Sequence, residues 1–158
     1  MRLTLGSRSF DLTTRALVMG VAGVPAGGAD LVELDHPSGL SSVPVCVAVS
    51  DEAGVARALA AGASLVRMAE PTTAGLARCA AAGAAVMVPP DAGGRAAGAG
   101  LPPDRVVPDT LLLDVTAEAC PSAATAAGVI RGARIVRTAD VRGARRVCDV
   151  LAAVMEAD

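Results

Sequence analysis

Arg137 is the residue of this sequence whose position most favours a role in chemistry. It follows the apolar pair Ile135-Val136, a run short enough to be a buried strand. After it, apolar residues recur at steps of three and four, which predicts one face of an α-helix: Val141, Ala144, Cys148, Leu151 and Met155. Arg137 is therefore predicted to end the strand of a β-α unit, where α/β folds collect their ligands.

Two strand-end arginines leave two interpretations open. Arg137 either clamps an anion with its planar guanidinium or pairs with a carboxylate on a neighbouring strand. Arg67 ends another predicted strand. It either adds a second positive charge to the same pocket or forms a salt bridge with Glu70 or Glu33. The residues alone do not decide between an anion site and structural ion pairs.

No catalytic group is predicted elsewhere in the chain. His36, the only histidine, lies in a His-Pro-Ser-Gly turn and is expected to be exposed and without a role. The pair Asp35-His36 would suit acid–base chemistry, but no nucleophile is placed to complete such a site. The Gly-rich turn at Asp91 lacks the strand and helix context of a phosphate loop. We therefore expect no catalytic residue, no metal and no cofactor.

The composition excludes several classes of function. The chain has 158 residues, and all 14 of its basic residues are arginine, so lysine Schiff-base chemistry is excluded. Phe10 is the only aromatic residue, and the net charge of −2 comes without a clustered basic face. Nucleic-acid binding is not expected, because stacking platforms and a basic surface are both missing. The length suits one domain, predicted over residues 1–158, with a core of Ala, Val and Leu.

The cysteines and the most apolar segment indicate the compartment. Cys46, Cys79, Cys120 and Cys148 show no CxxC or other metal-ligand spacing, and three of them lie in apolar patterns. This favours buried free thiols in a reducing cytosol. Residues 17–29 are uncharged but rich in glycine and too short to span a bilayer. We therefore expect a cytoplasmic protein without a membrane partner.

A short repeat predicts the order of the elements. Gly-Ala, one further residue and two apolar residues occur at four places, which begin at Gly28, Gly62, Gly83 and Gly132. Each copy is typical of a glycine that ends a helix and leads into a buried strand.

The predicted strands follow a leader hairpin around Gly6-Ser7. Their expected ranges are 16–21, 30–34, 43–49, 64–68, 85–88 and 105–115, with an interruption at Pro108. Helices are expected from the Ser50-Asp51-Glu52 cap to about Ala61, from Pro71 to Gly83, and over 117–131 with a break at Pro121. Residues 89–103 are predicted to form a loop. The alternation predicts an α/β fold with a parallel sheet, either doubly wound or a barrel; any barrel must be shortened, because eight-fold barrels need about 250 residues.

Four segments of the chain are similar to motifs of a known family. The opening segment LTLGSRSFDLTTRALVMGV (3–21) resembles the leader hairpin and first strand of the dihydropteroate synthases, the pterin-binding barrel enzymes of folate biosynthesis. The segments VPVCVAVSDEAGVARALAAGASLV (43–66), RVVPDTLL (105–112) and TAAGVIRGARIVRTADV (125–141) are similar to later family motifs in the same order. The resemblance covers nearly the whole chain and implies a truncated TIM-barrel-like (β/α) fold of the pterin-binding type.

Two family residues are retained by this resemblance. Asp109 stands where the family's sixth-strand aspartate grips the pterin amino group and ring nitrogen. Arg137 stands where the final-strand arginine stacks on the pterin and reaches the diphosphate. The resemblance therefore implies a small pterin-like or anionic ligand at Arg137, Asp109 and, by its strand-end position, Arg67. A plain loop aspartate remains the alternative for Asp109.

The other family residues are replaced. Gly23 stands where the family has the asparagine that helps hold diphosphate and magnesium. Ala48 replaces an aspartate of the third strand, and Arg67 replaces an asparagine of the fourth strand. Ala139 replaces a histidine. The loops are reduced to Pro25-Ala26-Gly27 and to about His36-Pro37-Ser38-Gly39, and the seventh-strand lysine segment is absent.

These losses lead to two function hypotheses. The first is a degenerate relative, a pseudoenzyme without synthase activity that acts as a binding or assembly partner. It would pair with itself as a homodimer or with a larger, active homologue through the last helices, whose apolar face at Val141 and Cys148 is expected to need a cover. The second is a repurposed enzyme that acts on a small pterin-like or anionic metabolite at the strand ends.

Overall fold

The computed structural model describes residues 1–24, 27–35 and 41–157. The chain opens with an antiparallel hairpin of β1 (Arg2–Leu5) and β2 (Arg8–Asp11). Gly6 turns the chain between them with a φ of 60°, a left-handed value that glycine adopts without strain. The predicted leader hairpin is confirmed.

A sheet of eight parallel strands follows. The strands are β3 (Leu17–Gly20), β4 (Leu31–Glu33), β5 (Val45–Val49), β6 (Leu65–Met68), β7 (Ala85–Val88), β8 (Val106–Pro108), β9 (Leu112–Asp114) and β10 (Ile135–Thr138). Their order is β8-β7-β6-β5-β4-β3-β10-β9, and every neighbouring pair is parallel. Each predicted strand is present. β7 has the predicted bounds and β10 extends beyond the predicted pair Ile135-Val136, whereas β3 to β6 are shorter than predicted and the strand predicted over 105–115 is divided into β8 and β9.

The two edge strands of this sheet belong to one stretch of chain, and that closes the barrel. β8 pairs with β7, and β9 pairs with β10; a 3-10 turn, Asp109–Leu111, joins β8 to β9. Pro108 has no backbone N–H to donate, so the chain leaves one neighbouring strand there and joins the other. The eight strands thus occupy seven positions around a barrel, one fewer than in a (β/α)8 barrel. This is the predicted shortened barrel.

Five α-helices of the described residues pack on the outside of the barrel. They are α1 (Glu52–Ala60), α2 (Thr73–Ala82), α3 (Gly93–Gly98), α4 (Pro121–Ile130) and α5 (Val141–Ala157). Asp51 caps α1 by accepting a hydrogen bond from the Gly54 N–H at 2.5 Å, within the segment Ser50-Asp51-Glu52 that was predicted to start this helix. Gly83 ends α2 in the left-handed conformation, also as predicted. No helix in the described part of the chain is long and apolar enough to cross a membrane.

Three predicted boundaries were wrong. Residues 89–103 contain a 3-10 turn, Pro90–Ala92, and α3, because Ala92 and Ala96 are small enough to pack fully buried against the outer face of the sheet. α2 begins at Thr73 rather than Pro71, since the Thr72 hydroxyl caps it through the Gly75 N–H. Pro121 starts α4 instead of breaking a longer helix; proline suits a first turn because its missing N–H has no partner there.

Small apolar side chains fill the barrel. The interior cluster joins the hairpin to the inward faces of the strands and includes Leu3, Leu5, Leu17, Met19, Leu31, Cys46, Leu65, Met87 and Ile135. The outward strand faces carry mainly valine and pack against the helices. Helix α5 lies on β3 and β10 with Val141, Ala144 and Cys148 buried. The face that we expected to need a partner is therefore covered by the barrel itself.

Candidate functional site

A charged layer closes the interior at the barrel mouth, the end where the carboxyl ends of the strands lie. Side chains of a strand alternate between faces, so the second residue after an inward apolar residue also faces inward. Four strands carry a charged residue in this way at their last or next-to-last position. Two residues after the inward apolar residue stand Glu33 on β4 (after Leu31), Arg67 on β6 (after Leu65), Asp114 on β9 (after Leu112) and Arg137 on β10 (after Ile135). The mouth therefore brings Arg67 and Arg137, two predicted site residues, together with two carboxylates.

Glu33 is the centre of this layer. Its side chain is only 8% exposed, and its two carboxylate oxygens face arginines from different strands. Oε2 accepts a hydrogen bond from the Arg137 Nε. Oε1 lies 3.4 Å from Arg67 Nη2 and makes no hydrogen bond with the described residues. A single buried carboxylate thus compensates both guanidinium groups, which is the structural alternative considered for each arginine.

Arg137 has a second set of partners towards solvent. Its Nη1 lies 2.8 Å from Asp114 Oδ2 and 3.4 Å from the Thr116 hydroxyl oxygen. Burial works against the charge of Arg137, but the hydrogen bond and charge of Glu33, followed by Asp114, leave its pKa raised above the usual value. Burial likewise opposes ionisation of Asp114, yet hydrogen bonds from Thr116 and the charge of Arg137 hold its pKa below the usual value. Both shifts favour the charged forms of Arg137 and Asp114.

Cys46 lies beneath this network on β5, in register with Glu33. The thiol is fully buried. Burial first, and the Glu33 carboxylate second, raise the pKa of Cys46 to about 12, although the two arginines act in the opposite direction. The thiol is therefore protonated and is not a nucleophile. Cys79 and Cys148 are also buried free thiols, as predicted, whereas Cys120 is exposed.

Asp109 is the third predicted site residue. It begins the 3-10 turn between β8 and β9 and lines a cleft of about 190 Å³ together with Arg67, Ala48 and Met68. Within the described ranges, no hydrogen bond or ion pair joins Asp109 to Arg137. The structure thus places Arg67 in one cleft with Asp109 and on one carboxylate with Arg137, whereas no hydrogen bond or ion pair among the described residues links Asp109 to Arg137.

Side chains of the protein also occupy helix N-termini next to the mouth. Asp140 follows β10, and its carboxylate accepts a hydrogen bond from the Gly143 N–H at 2.9 Å in the first turn of α5. Asp51 and Thr72 cap α1 and α2 in the same manner. A helix N-terminus attracts anions through its free N–H groups and its dipole. At α1, α2 and α5 a side chain of the protein already accepts a hydrogen bond from the first turn. At α1 and α5 that side chain is a carboxylate.

The residues present do not fit the magnesium and diphosphate that the resemblance implies. Gly23 has a φ of 82°, a left-handed value typical of glycine, and no side chain to bind either group. Ala48 and Ala139 offer no polar side-chain atom. No group of three metal-ligating side chains lies together in ranges 1–24, 27–35 and 41–157. Pro25, Ala26 and the His36–Gly39 turn, including His36 itself, lie outside the described residues.

Sequence reasoning missed Glu33 and Asp114 as members of the site. Glu33 was considered only as a salt-bridge partner of Arg67, and Asp114 was not considered. The signal was present in the repeat: the copies that begin at Gly28, Gly62 and Gly132 are followed directly by Glu33, Arg67 and Arg137. Three equivalent strand ends thus carry charges of opposite sign, and this pattern predicts ion pairs across a barrel.

Comparison with known proteins identifies the fold. A 7,8-dihydropteroate synthase from Vibrio fischeri matches with a TM-score of 0.77 and 13% identity over 100% of this chain and 99% of that one. A dihydropteroate synthase from Thermus thermophilus in complex with 6HMPPP matches with a TM-score of 0.76 and 19% identity, over 98% of this chain and 100% of that one. The dihydropteroate synthase from Yersinia pestis matches with a TM-score of 0.75 and 17% identity over 99% of both chains. No protein-family model and no curated protein matches the sequence. The chain has a dihydropteroate synthase-like fold.

Proposed function

We propose that this chain uses the dihydropteroate synthase-like fold without synthase activity and acts as an assembly partner. The observation that carries the proposal is the position of Glu33. It holds Arg137 by a direct hydrogen bond and lies 3.4 Å from Arg67. A synthase must stabilise negative charge as its diphosphate leaves, and it needs uncompensated donors for that task. Here the two guanidinium groups are committed to a carboxylate of the protein.

The charge balance of the mouth supports the same proposal. The inward-facing and turn positions supply three carboxylates, Glu33, Asp109 and Asp114, against the guanidinium groups of Arg67 and Arg137. Opposite charges a few ångströms apart in a partly buried site attract strongly, so a diphosphate would have to displace Glu33 and would meet an excess of like charge. The mouth therefore disfavours the anionic substrate of a synthase.

A steady-state assay tests the loss of activity. Wild-type protein is incubated with the pterin diphosphate and p-aminobenzoate, and dihydropteroate is measured against a blank without protein. We expect no product above the blank. Turnover that is abolished in Arg137→Ala would contradict the proposal, because contaminating enzyme would not respond to that substitution.

The last two helices carry the surface that fits assembly. Ile130, Val150 and Val154 are 71%, 62% and 57% exposed and are, with Met1, the large apolar side chains exposed in the described chain. On α5, Val147, Val150, Val154 and Ala157 follow one another at steps of three and four, which forms one apolar stripe. Apolar side chains concentrated on one surface mark interaction sites.

A second copy of the chain fits this stripe by charge. The first half of α5 carries the exposed Arg142 and Arg146, and the second half carries the exposed Asp149 and Glu156. If two α5 helices pair antiparallel about a two-fold axis, the basic half of each lies beside the acidic half of the other. We therefore propose a homodimer through α5 and place the pairing with a larger homologue second.

Light scattering coupled to size-exclusion chromatography tests the dimer. We expect the wild type to elute as a dimer, and Val150→Asp with Val154→Asp to elute as a monomer with an unchanged circular dichroism spectrum. Ala56→Asp, on the exposed face of α1, is the matched control and should remain dimeric. A monomeric wild type, or a dimer unaffected by both aspartates, would exclude this interface.

A second candidate function rests on the cleft between β5, β6 and the 3-10 turn. Arg67 and Asp109 line its walls with opposite charges, which suits a repurposed enzyme for a small pterin-like metabolite. A pterin that raises the melting temperature of the wild type, but not that of Asp109→Asn or Arg67→Met, would favour this function. The absence of any such shift would remove it.

A further inference from the structure

We infer that the barrel mouth is a small-oxyanion site whose resident ligand is the protein's own Glu33. The two arginines reach it from β6 and β10, which lie on opposite sides of β4 in the sheet with one strand between on each side. Each faces a different oxygen of the carboxylate. Two guanidinium groups that converge on one buried carboxylate have the arrangement with which proteins bind free carboxylates and phosphates.

The partners of each arginine show which part of the site depends on Glu33. Arg137 is additionally held by Asp114 at 2.8 Å and is 24% exposed. Arg67 is 37% exposed and, within the described ranges, has no ion-pair partner other than Glu33. Removal of Glu33 would therefore leave Arg67 without an ion-pair partner among the described residues, on the wall of the 190 Å³ cleft, and Arg137 with a partner only on its solvent side.

The same geometry specifies the class of ligand. Glu33 presents a planar carboxylate, and its Oε1 is completely buried without a hydrogen bond to the described residues. The space that its carboxylate fills is the size of formate or acetate. A small monocarboxylate should therefore replace Glu33, whereas tetrahedral phosphate is larger and should bind less well. The inference rests on the proposed function in one respect, since a mouth that binds no diphosphate leaves both arginines to Glu33.

Chemical rescue of Glu33→Ala tests the inference. The substitution opens space for an anion, and acetate is the probe, with sodium chloride at equal ionic strength as the salt control. At ten times its dissociation constant, acetate should raise the melting temperature of Glu33→Ala by about 3–6 °C relative to chloride. Wild type should show no such difference.

Matched variants isolate the anion site from a general salt effect. Glu33→Gln removes the charge but fills the space, so acetate should not stabilise it. Glu33→Ala combined with Arg137→Met should also lose the response. If Glu33→Ala does not fold alone, acetate should restore its refolding yield, measured by far-ultraviolet circular dichroism.

Equal effects of acetate and chloride on Glu33→Ala, in melting temperature or in refolding yield, would overturn the inference. So would an equal response of Glu33→Gln. A phosphate response larger than the acetate response would overturn the size assignment. None of these outcomes depends on synthase turnover or on dimerisation of the wild type, so a failure here is distinguishable from a failure of the proposed function.

Discussion

Replacement of Arg137 by methionine should destabilise the protein in the absence of any ligand. Methionine keeps much of the length of the side chain but leaves Glu33, 8% exposed, with Arg67 at 3.4 Å as its remaining described counter-ion. Loss of one member of a buried ion pair typically costs about 3 kcal/mol or more. The contact with Asp114, which is 49% exposed, adds at most about 1 kcal/mol. We expect a loss of about 3 kcal/mol, or about 6–12 °C in melting temperature.

Urea denaturation followed by circular dichroism is the appropriate assay, because the chain has no Trp or Tyr to report by fluorescence. Arg67→Met is the control: its ion pair with Glu33 is longer and more exposed, so it should cost about 1 kcal/mol. If Arg137→Met costs less than Arg67→Met, Arg137 is not the main counter-ion of Glu33 and the reasoning is refuted.

The pH dependence of the same measurement reports on Asp114. Its folded-state pKa is lowered, so its contribution is present above the unfolded pKa of about 3.9 and is lost as the pH falls through the folded value. Arg137 supplies part of this lowering. The stability difference between wild type and Arg137→Met should therefore be constant near neutral pH and become smaller below about pH 4. A difference that grows towards acid would show that Asp114 is not coupled to Arg137.

Two further outcomes follow from buried groups outside the mouth. With a thiol reagent at neutral pH, the folded protein should react at the exposed Cys120 alone and the unfolded protein at all four cysteines. The reason is that burial raises the pKa of Cys46 to about 12 and those of Cys79 and Cys148 to about 11. Fast reaction of a second thiol in the folded protein would contradict this packing. Thr125→Val should stabilise the protein by about 1 kcal/mol, because the Thr125 hydroxyl is fully buried without a hydrogen-bond partner among the described residues. A loss of stability in urea denaturation would show that this hydroxyl has a partner such as a buried water.

The succession of strands along the chain was predictable because its signals are local, whereas the shortened barrel was implied by the family resemblance. The Gly-Ala repeat marks the entry to β4, β6, β7 and β10, and the alternation around Gly6 marks the hairpin. The closing of the barrel depended on Pro108, which the sequence presents only as an interruption of one strand. Which edge strands it joins is decided by the packing of the whole sheet, so a local pattern does not give it.

The site was predictable only in part, for a similar reason. Strand ends identify Arg67 and Arg137 as inward-facing charges at the mouth. Their charges are compensated by Glu33 only because the strand order β10-β3-β4-β5-β6 places β10, β4 and β6, which carry Arg137, Glu33 and Arg67, on one arc of the barrel. Asp109 shows the converse. Its position in the family resemblance was clear from the sequence, whereas its place in a 3-10 turn depends on where β8 ends its pairing with β7.

Ligand-dependent melting of the wild type tests the central claim, that the charged groups of the mouth compensate one another, most directly. The melting temperature is measured with diphosphate, with a pterin and with the pterin diphosphate, each against chloride at equal ionic strength. We expect none of them to shift the melting temperature. A ligand bound at a hundredfold excess over its dissociation constant would stabilise the fold by about 2.7 kcal/mol. A shift of that size that vanishes in Arg137→Ala would contradict the account and show that Arg137 serves a ligand rather than Glu33.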